Sequence, residues 1–522
     1  MAVVRISIDE IKKMTGLQKE EVVGGLNEIG MPSGEVEAGA LDVEITPDRP
    51  DMLSVEGIAR ALIFYYERGG LRKYMAEEKE NFVVVDKSVR EVRPYVGMAK
   101  VVEVNPSEEL FLSIIQLQEK LHDTLGRKRA KAAIGIHDAD AVVFPIVYKT
   151  VEDIVFDPLE SDRRMSVREV LKEHPKGRMY AHLVKENKYP MLIDQEGVIS
   201  FPPIINSDRT KLTPQTKNFV IDVTGTHAEV VSQALNIIVC ALADRGGRIE
   251  QVGVNGEWYP KLDERRVKVN KKFINKTLGV ELSEEQIRKL LKRAGIRYER
   301  GVAIVPPYRI DVLSEIDVVE DVAVSYGYNK FIPEVPPLYS EGRGWEKDDL
   351  VFDTMVGFGF NNVRTFYLTN NADLGKIGGK WKAEKEVKNP VSEDYSVLKP
   401  TCLVSFLKII YENKTAGMPQ KIFEIGRVYS EGREKEVLAA AVTNERANIN
   451  DILPFLFYIV KVEGLSVEIQ PQDIDGFILG RAVKIVGVDG KEIGFVGEVH
   501  PSVLASFGVE TPVVFFEIEL KD

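Results

Sequence analysis

The stretch from Pro306 to Lys330 constrains the fold more than any other part of this sequence, because acidic and apolar residues repeat there with helical spacing. Ser314 and Asp317 form an S-x-x-D capping pattern, which predicts that a helix begins near Glu315. Valine and alanine residues recur on one face of this helix, so that face is expected to be buried. The same spacing turns three acidic side chains toward the opposite face.

The acidic face gathers oxygen-rich side chains near the helix start, and one more acid arrives from the preceding segment. This carboxylate group consists of Asp311, Asp317, Glu320 and Asp321. Carboxylate oxygens are the ligands that a hard cation such as Mg²⁺ prefers. The alternative is that acids in a first turn simply favour the helix dipole and face water. Clustered carboxylates are costly without a cation or an arginine, and Arg309 is the local candidate for the latter.

The composition describes an ordinary soluble protein. With 522 residues, 44% hydrophobic and 29% charged, several domains with sizeable cores are expected. A membrane span and a signal peptide are not expected, because no sufficiently long apolar run is present. Cys240 and Cys402 lie in apolar contexts, which favours packed thiols in a reducing cytoplasm. A net charge of −12 argues against a nucleic-acid clamp over the whole surface, but it leaves room for a local basic patch.

Composition shifts and turn signals divide the chain into four predicted units of a multidomain α+β protein. They are residues 1–85, 86–260, 263–335 and 340–522, and the proline-rich segment IPEVPPL links the last two. In the first unit, Asp51 is expected to cap a helix with apolar residues at helical spacing.

The second unit shows the clearest local signals. A helix is expected from about Glu108 to Leu125, and a hairpin is expected to turn at Glu196 and Gly197. Further along, Thr226 and Glu229 form a capping box that opens another helix. These elements predict a mixed arrangement of helices and strands.

Several of these motifs resemble the β subunit of phenylalanyl-tRNA synthetase, of the archaeal and eukaryotic type. The family pattern R-x-D, D-x-x-E-[DE] and YGYN is matched at 309–311, 317–321 and 326–329. A second pattern, N-R-P-D-x-x-S-x-E-G-x-A-R, is matched near residue 50, with Asp48 where asparagine is usual. The resemblance covers essentially the whole chain, with the motifs in order.

The resemblance implies an identity for each predicted unit. Residues 1–85 are similar to an N-terminal α/β module of the B1 type, and 86–260 to the mixed α/β, B3/B4-type tRNA-editing domain. Residues 263–335 resemble the helix-turn-helix-like B5 domain, and 340–522 the class II synthetase-like antiparallel sheet with helices. In this family two α and two β chains form a heterotetramer that attaches phenylalanine to tRNA(Phe). The α subunit binds ATP and phenylalanine, and the β-subunit carboxylates described above are Mg²⁺ ligands.

Activation chemistry is expected to be absent from the last unit. Class II activation needs arginines that neutralise phosphate in a bidentate way, which lysine does not copy well. The strand sequence KIFEIG supplies Glu424 without an arginine one or two positions before it. The glycine pattern from Gly357 to Arg364 lies at the wrong end of the unit. We therefore expect a scaffold for a catalytic subunit and a magnesium site that is structural, at the border with that subunit.

Editing and RNA contact are the activities that the chain itself is expected to carry. The segment from Ser200 to Thr226 supplies polar residues that converge to position a water if its two strands pair across the loop, namely Ser200, Asn206, Ser207, Thr216 and Asp222. The alternative is a plain turn with a local cap. A basic run is a candidate for RNA phosphate or a solvated cluster, namely Arg127, Lys128, Arg129 and Lys131. A different class of function is a stand-alone tRNA-binding or regulatory paralogue without a catalytic partner.

Overall fold

The computed structural model describes residues 2–37, 39–334 and 348–520. The chain divides into two compact units, Met1–Glu334 and Val335–Asp522. Much of the predicted linker IPEVPPL and the predicted start of the last unit at residue 340 lie outside the described residues. Within the described residues, every helix is too short or too polar to cross a membrane.

The first unit opens with a small antiparallel sheet and three helices. In chain order these elements are β1 (Ala2–Ser7), α1 (Ile8–Thr15), α2 (Lys19–Glu28), β2 (Ser33–Glu37), β3 (Ala40–Ile45) and α3 (Val55–Tyr65). The strand order is β1-β3-β2 and both pairings are antiparallel. The predicted N-terminal α/β module is therefore an α+β one.

The cap of α3 differs from the prediction. Ser54 Oγ accepts a hydrogen bond from the Gly57 backbone N–H at 3.3 Å, so Ser54 is the N-cap. Asp51 lies one turn earlier in a 3₁₀ segment, where its carboxylate binds Arg49. Asp51 and Ser54 are both residue types that commonly cap helices. Ser54 caps α3 because the Asp51 carboxylate is bound by Arg49.

A large mixed sheet follows. Its elements are β4 (Ala76–Glu77), β5 (Phe82–Val85), β6 (Tyr95–Val102), α4 (Glu108–Asp123), β7 (Ala132–Asp138), β8 (Ile146–Val151), β9 (Val155–Phe156), β10 (Met165–Ser166), α5 (Val167–Glu173), α6 (Pro175–Tyr180), β11 (Tyr189–Ile193), β12 (Val198–Phe201), β13 (Ile205–Asn206), β14 (Phe219–Gly225), α7 (Ala228–Asp244), β15 (Arg248–Val254) and β16 (Glu257–Tyr259). The strands run in the order β13-β12-β11-β8-β5-β15-β6-β14-β7, with β4 and β16 also paired to β15. Strands β9 and β10 form a separate pair.

The centre of this sheet positions the candidate site. Strand β14 lies between β6 and β7, is antiparallel to both, and every one of its residues is buried. The predicted hairpin between β11 and β12 is confirmed, and Asp194 Oδ1 accepts the backbone N–H groups of Glu196 and Gly197 in its turn. The Thr226–Glu229 capping box is wrong: α7 begins after His227, and Glu229 instead accepts a bond from Gln233.

The last part of the first unit contains β17 (Arg265–Lys268), α8 (Lys271–Leu278), α9 (Glu284–Arg293), β18 (Arg297–Glu299), β19 (Val302–Val305) and α10 (Glu315–Tyr326). The predicted start of the acidic helix at Glu315 is confirmed, and its valine face is buried. The helix-turn-helix-like prediction overlooked the sheet β17-β19-β18. These strands of three or four residues are too short to show a clear alternation.

One hydrophobic core runs through most of the first unit. It includes Ile6 on β1, Leu62 on α3, Ile238 on α7 and Tyr308 ahead of α10. The boundaries predicted at residues 85 and 263 remain predictions about domain families. The first unit also contains three further cores, and the apolar residues of the 263–335 region pack mainly in one of their own, which includes Ile287 and Val318.

The second unit is built on a seven-stranded sheet. Its elements are α11 (Asp348–Gly357), β20 (Asn361–Asn362), β21 (Leu368–Thr369), α12 (Asn371–Lys376), β22 (Val397–Leu398), α13 (Leu403–Glu412), β23 (Gln420–Ser430), β24 (Arg433–Thr443), α14 (Leu453–Val462), β25 (Val467–Pro471), β26 (Phe477–Gly487), β27 (Glu492–Val499), α15 (Pro501–Ser506) and β28 (Val513–Glu519). The strand order is β20-β23-β24-β28-β27-β26-β25, antiparallel except for β20 with β23. The predicted antiparallel sheet with flanking helices agrees with this arrangement.

Helices cover both faces of the second sheet. Successive residues of β24 point to opposite faces, as a strand requires, so Val437 and Leu438 belong to different cores. The core that contains Val437 includes residues of α13 and α15, and the core that contains Leu438 includes residues of α11 and α14.

Candidate functional site

The predicted carboxylate group is organised around an arginine. Arg309 Nη2 donates to Asp311 Oδ2 at 2.7 Å and to Asp321 Oδ2 at 2.9 Å, and the Arg309 side chain is only 3% exposed. Burial works against the guanidinium charge, but Asp321 and Asp311 raise the pKa of Arg309 well above its usual value. Arg309 therefore supplies the positive charge that two of the predicted Mg²⁺ ligands require.

The other two acids are used differently. Asp317 Oδ2 accepts the backbone N–H groups of Leu313 and Ser314 at 2.8 and 2.6 Å, and Glu320 is exposed. Nowhere in the described part of the chain do three or more histidine, cysteine or acidic side chains form a group that holds a metal ion. The four residues predicted as Mg²⁺ ligands thus do not form a magnesium shell in this arrangement, because the oxygens of Asp311, Asp321 and Asp317 serve an ion pair and a helix cap and Glu320 is exposed.

The ion pairs continue into a buried network that the sequence reading missed. Arg49 binds Asp51 through two bonds of 2.8 and 2.9 Å, and Arg60 Nη1 lies 2.7 Å from Asp244 Oδ2. The Arg60 guanidinium also stacks 3.7 Å from the centre of the Tyr308 ring. Burial raises the pKa of Asp51, but Arg49 and the other arginines outweigh it and bring the pKa below its usual value.

A cavity of about 240 Å³ lies against the middle of the large sheet, and Asp222 faces it. Asp222 Oδ2 lies 2.8 Å from His137 Nε2 on the neighbouring strand β7, and both side chains are almost fully buried. Since an ionised carboxylate only accepts hydrogen bonds, the imidazole N–H donates to Asp222. His137 Nδ1 is held in turn by Thr210 Oγ1 at 2.8 Å.

Two more predicted residues meet at this cavity. Strands β12 and β13 pair so that Ser200 is opposite Asn206, and Ser200 Oγ donates to Asn206 Oδ1 at 3.2 Å. The Asn206 amide also donates to the Ile136 carbonyl at 3.4 Å, which ties β13 to the strand β7 that carries His137. The structure thereby brings Ser200, Asn206 and Asp222 to one cavity.

The remaining two predicted residues lie elsewhere. Ser207 caps a 3₁₀ turn and donates to the Asp157 carbonyl, and Thr216 Oγ1 donates to Asp138 Oδ2 at 2.9 Å. Neither residue lines the cavity. Their spacing in the sequence put them close to the site, but their side chains stabilise the loop between β13 and β14.

The basic run does not form one exposed patch. Arg127 and Lys128 are exposed and Lys131 is half-buried, but Arg129 is buried and lines the cavity. Arg129 donates to the Ile204 carbonyl at 2.8 Å and lies 3.1 Å from Glu119 Oε1. Arg129 is therefore not part of an exposed basic patch, because its guanidinium is bound inside the protein, and contact of the basic run with RNA stays a prediction.

The wall opposite Asp222 carries a charge pair. The His122 ring, 3.4 Å away, and Arg129 lower the pKa of Glu119 to about 2, so Glu119 is ionised at neutral pH. Gln118 also lines the cavity, and Gly135 lines it beside Asp222, because a Cβ added at Gly135 would lie 2.0 Å from Asp222 Oδ2. The cavity therefore combines polar groups with apolar lining, as small-ligand sites do.

The described part of the second unit keeps its key acid engaged. Glu424 on β23 is 3% exposed and accepts bonds from the Thr365 hydroxyl at 2.6 Å and the Lys399 ammonium at 3.4 Å. Glu424 is therefore bound by two groups of its own unit, and the loss of activation chemistry stays a prediction from the sequence.

Comparison with known proteins identifies two domains and several related sequences. The sequence matches the family models for the phenylalanyl tRNA synthetase beta chain CLM domain, over residues 332–520, and for the tRNA synthetase B5 domain, over residues 267–328. The phenylalanine–tRNA ligase beta subunit of Archaeoglobus fulgidus is 40% identical across 100% of this chain and 98% of its own length. The protein of the same name from Methanocaldococcus jannaschii is 39% identical, with 92% of each chain covered.

A solved structure supports the first unit. The N-terminal fragment of the phenylalanyl-tRNA synthetase beta-subunit from Pyrococcus horikoshii is 34% identical, with a TM-score of 0.59, and the match covers 62% of this chain and 99% of that fragment. The matched domain models are those of aminoacyl-tRNA synthetases. Because the Archaeoglobus fulgidus protein is 40% identical over the full length of this chain, the chain belongs to the family of phenylalanine–tRNA ligase beta subunits.

Proposed function

We propose that this chain works as the beta subunit of a phenylalanine–tRNA ligase in the cytoplasm and that its large-sheet cavity hydrolyses tyrosyl-tRNA. The alpha subunit, in an α2β2 heterotetramer, attaches phenylalanine to tRNA(Phe) with ATP and Mg²⁺. The names and lengths of the relatives support the first part. The meeting of Ser200, Asn206 and Asp222 at one cavity carries the second.

A partner surface is available on the second unit. Helices α11 and α14 pack on the same side of the sheet and expose large apolar side chains, namely Leu350, Phe352, Val356, Phe457 and Tyr458. Contiguous exposed apolar surface of this kind typically marks an interaction site. We assign this surface to the alpha subunit, because activation of phenylalanine is expected to need a catalytic partner.

Editing would correct the limited ability of a phenylalanine-binding pocket to exclude tyrosine. An apolar pocket built for phenylalanine rejects tyrosine weakly, since one added hydroxyl changes discrimination by only about a hundredfold. The cavity supports editing because it is smaller than the roughly 300–1,000 Å³ of drug-sized sites and offers polar groups to a phenol and a water. In the proposed arrangement Asp222, held by His137, orients the water, and Ser200 and Asn206 hydrogen-bond the aminoacyl group. No covalent nucleophile is needed.

RNA reaches this cavity past the remaining basic residues. Arg127 and Lys128 are exposed and immediately precede Arg129 of the cavity wall. Arginine and lysine at such a rim neutralise phosphate, so their contribution is salt-dependent.

The test compares variants in the assembled enzyme. Asp222→Asn and Asn206→Ala should leave the rate of phenylalanine charging near normal and let tyrosyl-tRNA(Phe) accumulate. Ser200→Ala and Ser207→Ala are a matched pair, because only Ser200 faces the cavity. Ser200→Ala should slow deacylation of preformed tyrosyl-tRNA, whereas Ser207→Ala should not. Equal deacylation in all variants would move editing away from this cavity.

Co-purification tests the partner separately. Isolation of the chain from its own cells should recover a class II alpha subunit. A solitary chain that binds tRNA would instead favour the stand-alone paralogue.

A further inference from the structure

A second cavity, of about 250 Å³, opens on one face of the seven-stranded sheet in the second unit. Its walls are formed by Val428, Val437 and Phe495 from three strands, with Trp381 and Pro400 from the covering loops. The rings of Trp381 and Phe495 are tilted relative to each other, and their centres lie 5.2 Å apart. The cavity thus has an aromatic and aliphatic body suited to a small organic molecule.

Glu384, Glu431, Glu492 and Glu519 line this cavity, and the most buried acid in the lining is Glu517 on β28, which is 6% exposed. Its Oε2 accepts the Thr401 hydroxyl at 3.1 Å and the Cys402 backbone N–H at 2.7 Å. Across the described ranges of the chain, no lysine or arginine nitrogen forms an ion pair with Glu517. Lys399 acts on Glu517 only from a distance, because its ammonium is bound by Thr365 and by Glu424.

This situation differs from that of the other buried acids in the unit. Glu498, for example, is 8% exposed but is paired with Arg481 at 2.7 Å. Burying an ionised carboxylate without a cation costs free energy, so buried acids are normally paired with a positive charge or remain protonated. Burial raises the pKa of Glu517 to about 7, which leaves the acid partly protonated at neutral pH.

We propose that this cavity binds a small organic ammonium ion, with the ammonium group at Glu517 and an apolar body between Trp381, Val437 and Phe495. The ammonium supplies the counter-charge that the fold lacks, and the ring of Trp381 or Phe495 adds the attraction of a π face for a cation. Other charged residues of both signs also line this cavity, namely Lys380, Lys382, Lys435, Glu384, Glu431, Glu492 and Glu519.

The probe for this proposal is the 2-phenylethylammonium ion, titrated calorimetrically into the full chain. The neutral alcohol 2-phenylethanol has the same ring and chain length and serves as the matched ligand. The ammonium should bind saturably and the alcohol about tenfold or more weakly, because only the ammonium makes a charge-assisted bond. Binding should also release protons near neutral pH, measured as a heat that depends on the ionisation enthalpy of the buffer.

Two glutamine variants complete the design. Glu517→Gln keeps the shape and the bonds of the side chain but removes its charge, and it should weaken ammonium binding about tenfold or more. Glu498→Gln is the matched control, because Glu498 already has an arginine partner and lies off the cavity, and it should bind as the parent does. Thermal midpoints of both variants report whether each is folded.

The proposal is overturned if the parent chain shows no saturable binding, if the alcohol binds as well as the ammonium, or if Glu517→Gln binds unchanged. Should Glu517→Gln not fold, the comparison of the two ligands and the proton release on the parent chain still decide the matter. None of these readouts depends on tRNA charging or editing.

Discussion

Arg309 lies 2.9 Å from Asp321 through Nη2 and Oδ2, and both side chains are largely withdrawn from water. This ion pair occupies the position where the sequence suggested a cation among acids. A guanidinium with fixed donors satisfies two carboxylates at once, because Asp311 lies on its other edge. The acidic helix is therefore anchored from within the chain.

Removing this arginine should destabilise the first unit strongly. Arg309→Ala leaves Asp311 and Asp321 buried without a counter-charge, and breaking a buried pair in this way costs about 3–5 kcal/mol. The measurement is the urea midpoint of unfolding followed by circular dichroism. Arg288→Ala is the control, because Arg288 is exposed on α9, and its effect should stay within about 0.5 kcal/mol. Similar midpoints for the two variants would contradict the assigned role of Arg309.

Magnesium should have little effect on the stability of the purified chain alone. The oxygens of Asp311 and Asp321 are bound to Arg309, and Asp317 caps the helix. These oxygens therefore do not converge on a point where Mg²⁺ could bind. Thermal midpoints in a chelator and in saturating Mg²⁺ should coincide once ionic strength is matched. If Mg²⁺ raised the midpoint of the parent chain and did not raise that of Asp317→Asn, these carboxylates would bind the metal after all.

Gly135→Ala should block editing without touching charging. A Cβ at this position would lie 2.0 Å from Asp222 Oδ2 and 2.7 Å from His137 Nε2, so the pair must move apart. Displacement of about 1 Å at a reacting centre costs about a hundredfold in rate, and tyrosyl-tRNA deacylation should fall by that order. Gly34→Ala, which meets no atom within 4 Å, is the control. Normal deacylation by Gly135→Ala would show that Asp222 does not act there.

The stability of the second unit should fall as pH rises toward neutrality, through Glu517. Burial raises the pKa of this acid from 4.5 to about 7, so the folded form holds a proton that the unfolded form has released. The stabilising effect of that proton is complete below about pH 4.5 and is lost by about pH 7, a change on the order of 3 kcal/mol. Glu517→Gln should flatten this part of the profile of unfolding midpoint against pH. A profile as steep as that of the parent would assign the titration to another group.

Local signals carried the sequence predictions that succeeded. The start of α10 followed from Ser314 and Asp317, which lie three residues apart, and its buried face followed from valine spacing. The hairpin that turns at Glu196 and Gly197 likewise lies within one short segment. In each case the residues that decide the structure are close neighbours along the chain.

The parts that failed depend on long-range packing. His137 meets Asp222 only because β7 and β14 are adjacent, across 85 positions of sequence. Arg129 turns inward because Arg127, Lys128 and Arg129 all adopt positive φ angles of 47°, 51° and 67°. Residues other than glycine rarely adopt this backbone conformation, so a turn made of arginine and lysine could not be predicted from residue preferences.

The position of Arg60 has a consequence for how this family diversifies. One guanidinium touches Asp244 at the end of α7 and the Tyr308 ring ahead of α10, and it lies 3.8 Å from Asp51. Its contacts therefore reach parts of the chain that sequence families treat as separate modules. A module exchanged with that of a distant relative would arrive without its matching charges, so these segments are expected to be inherited together rather than recombined one at a time.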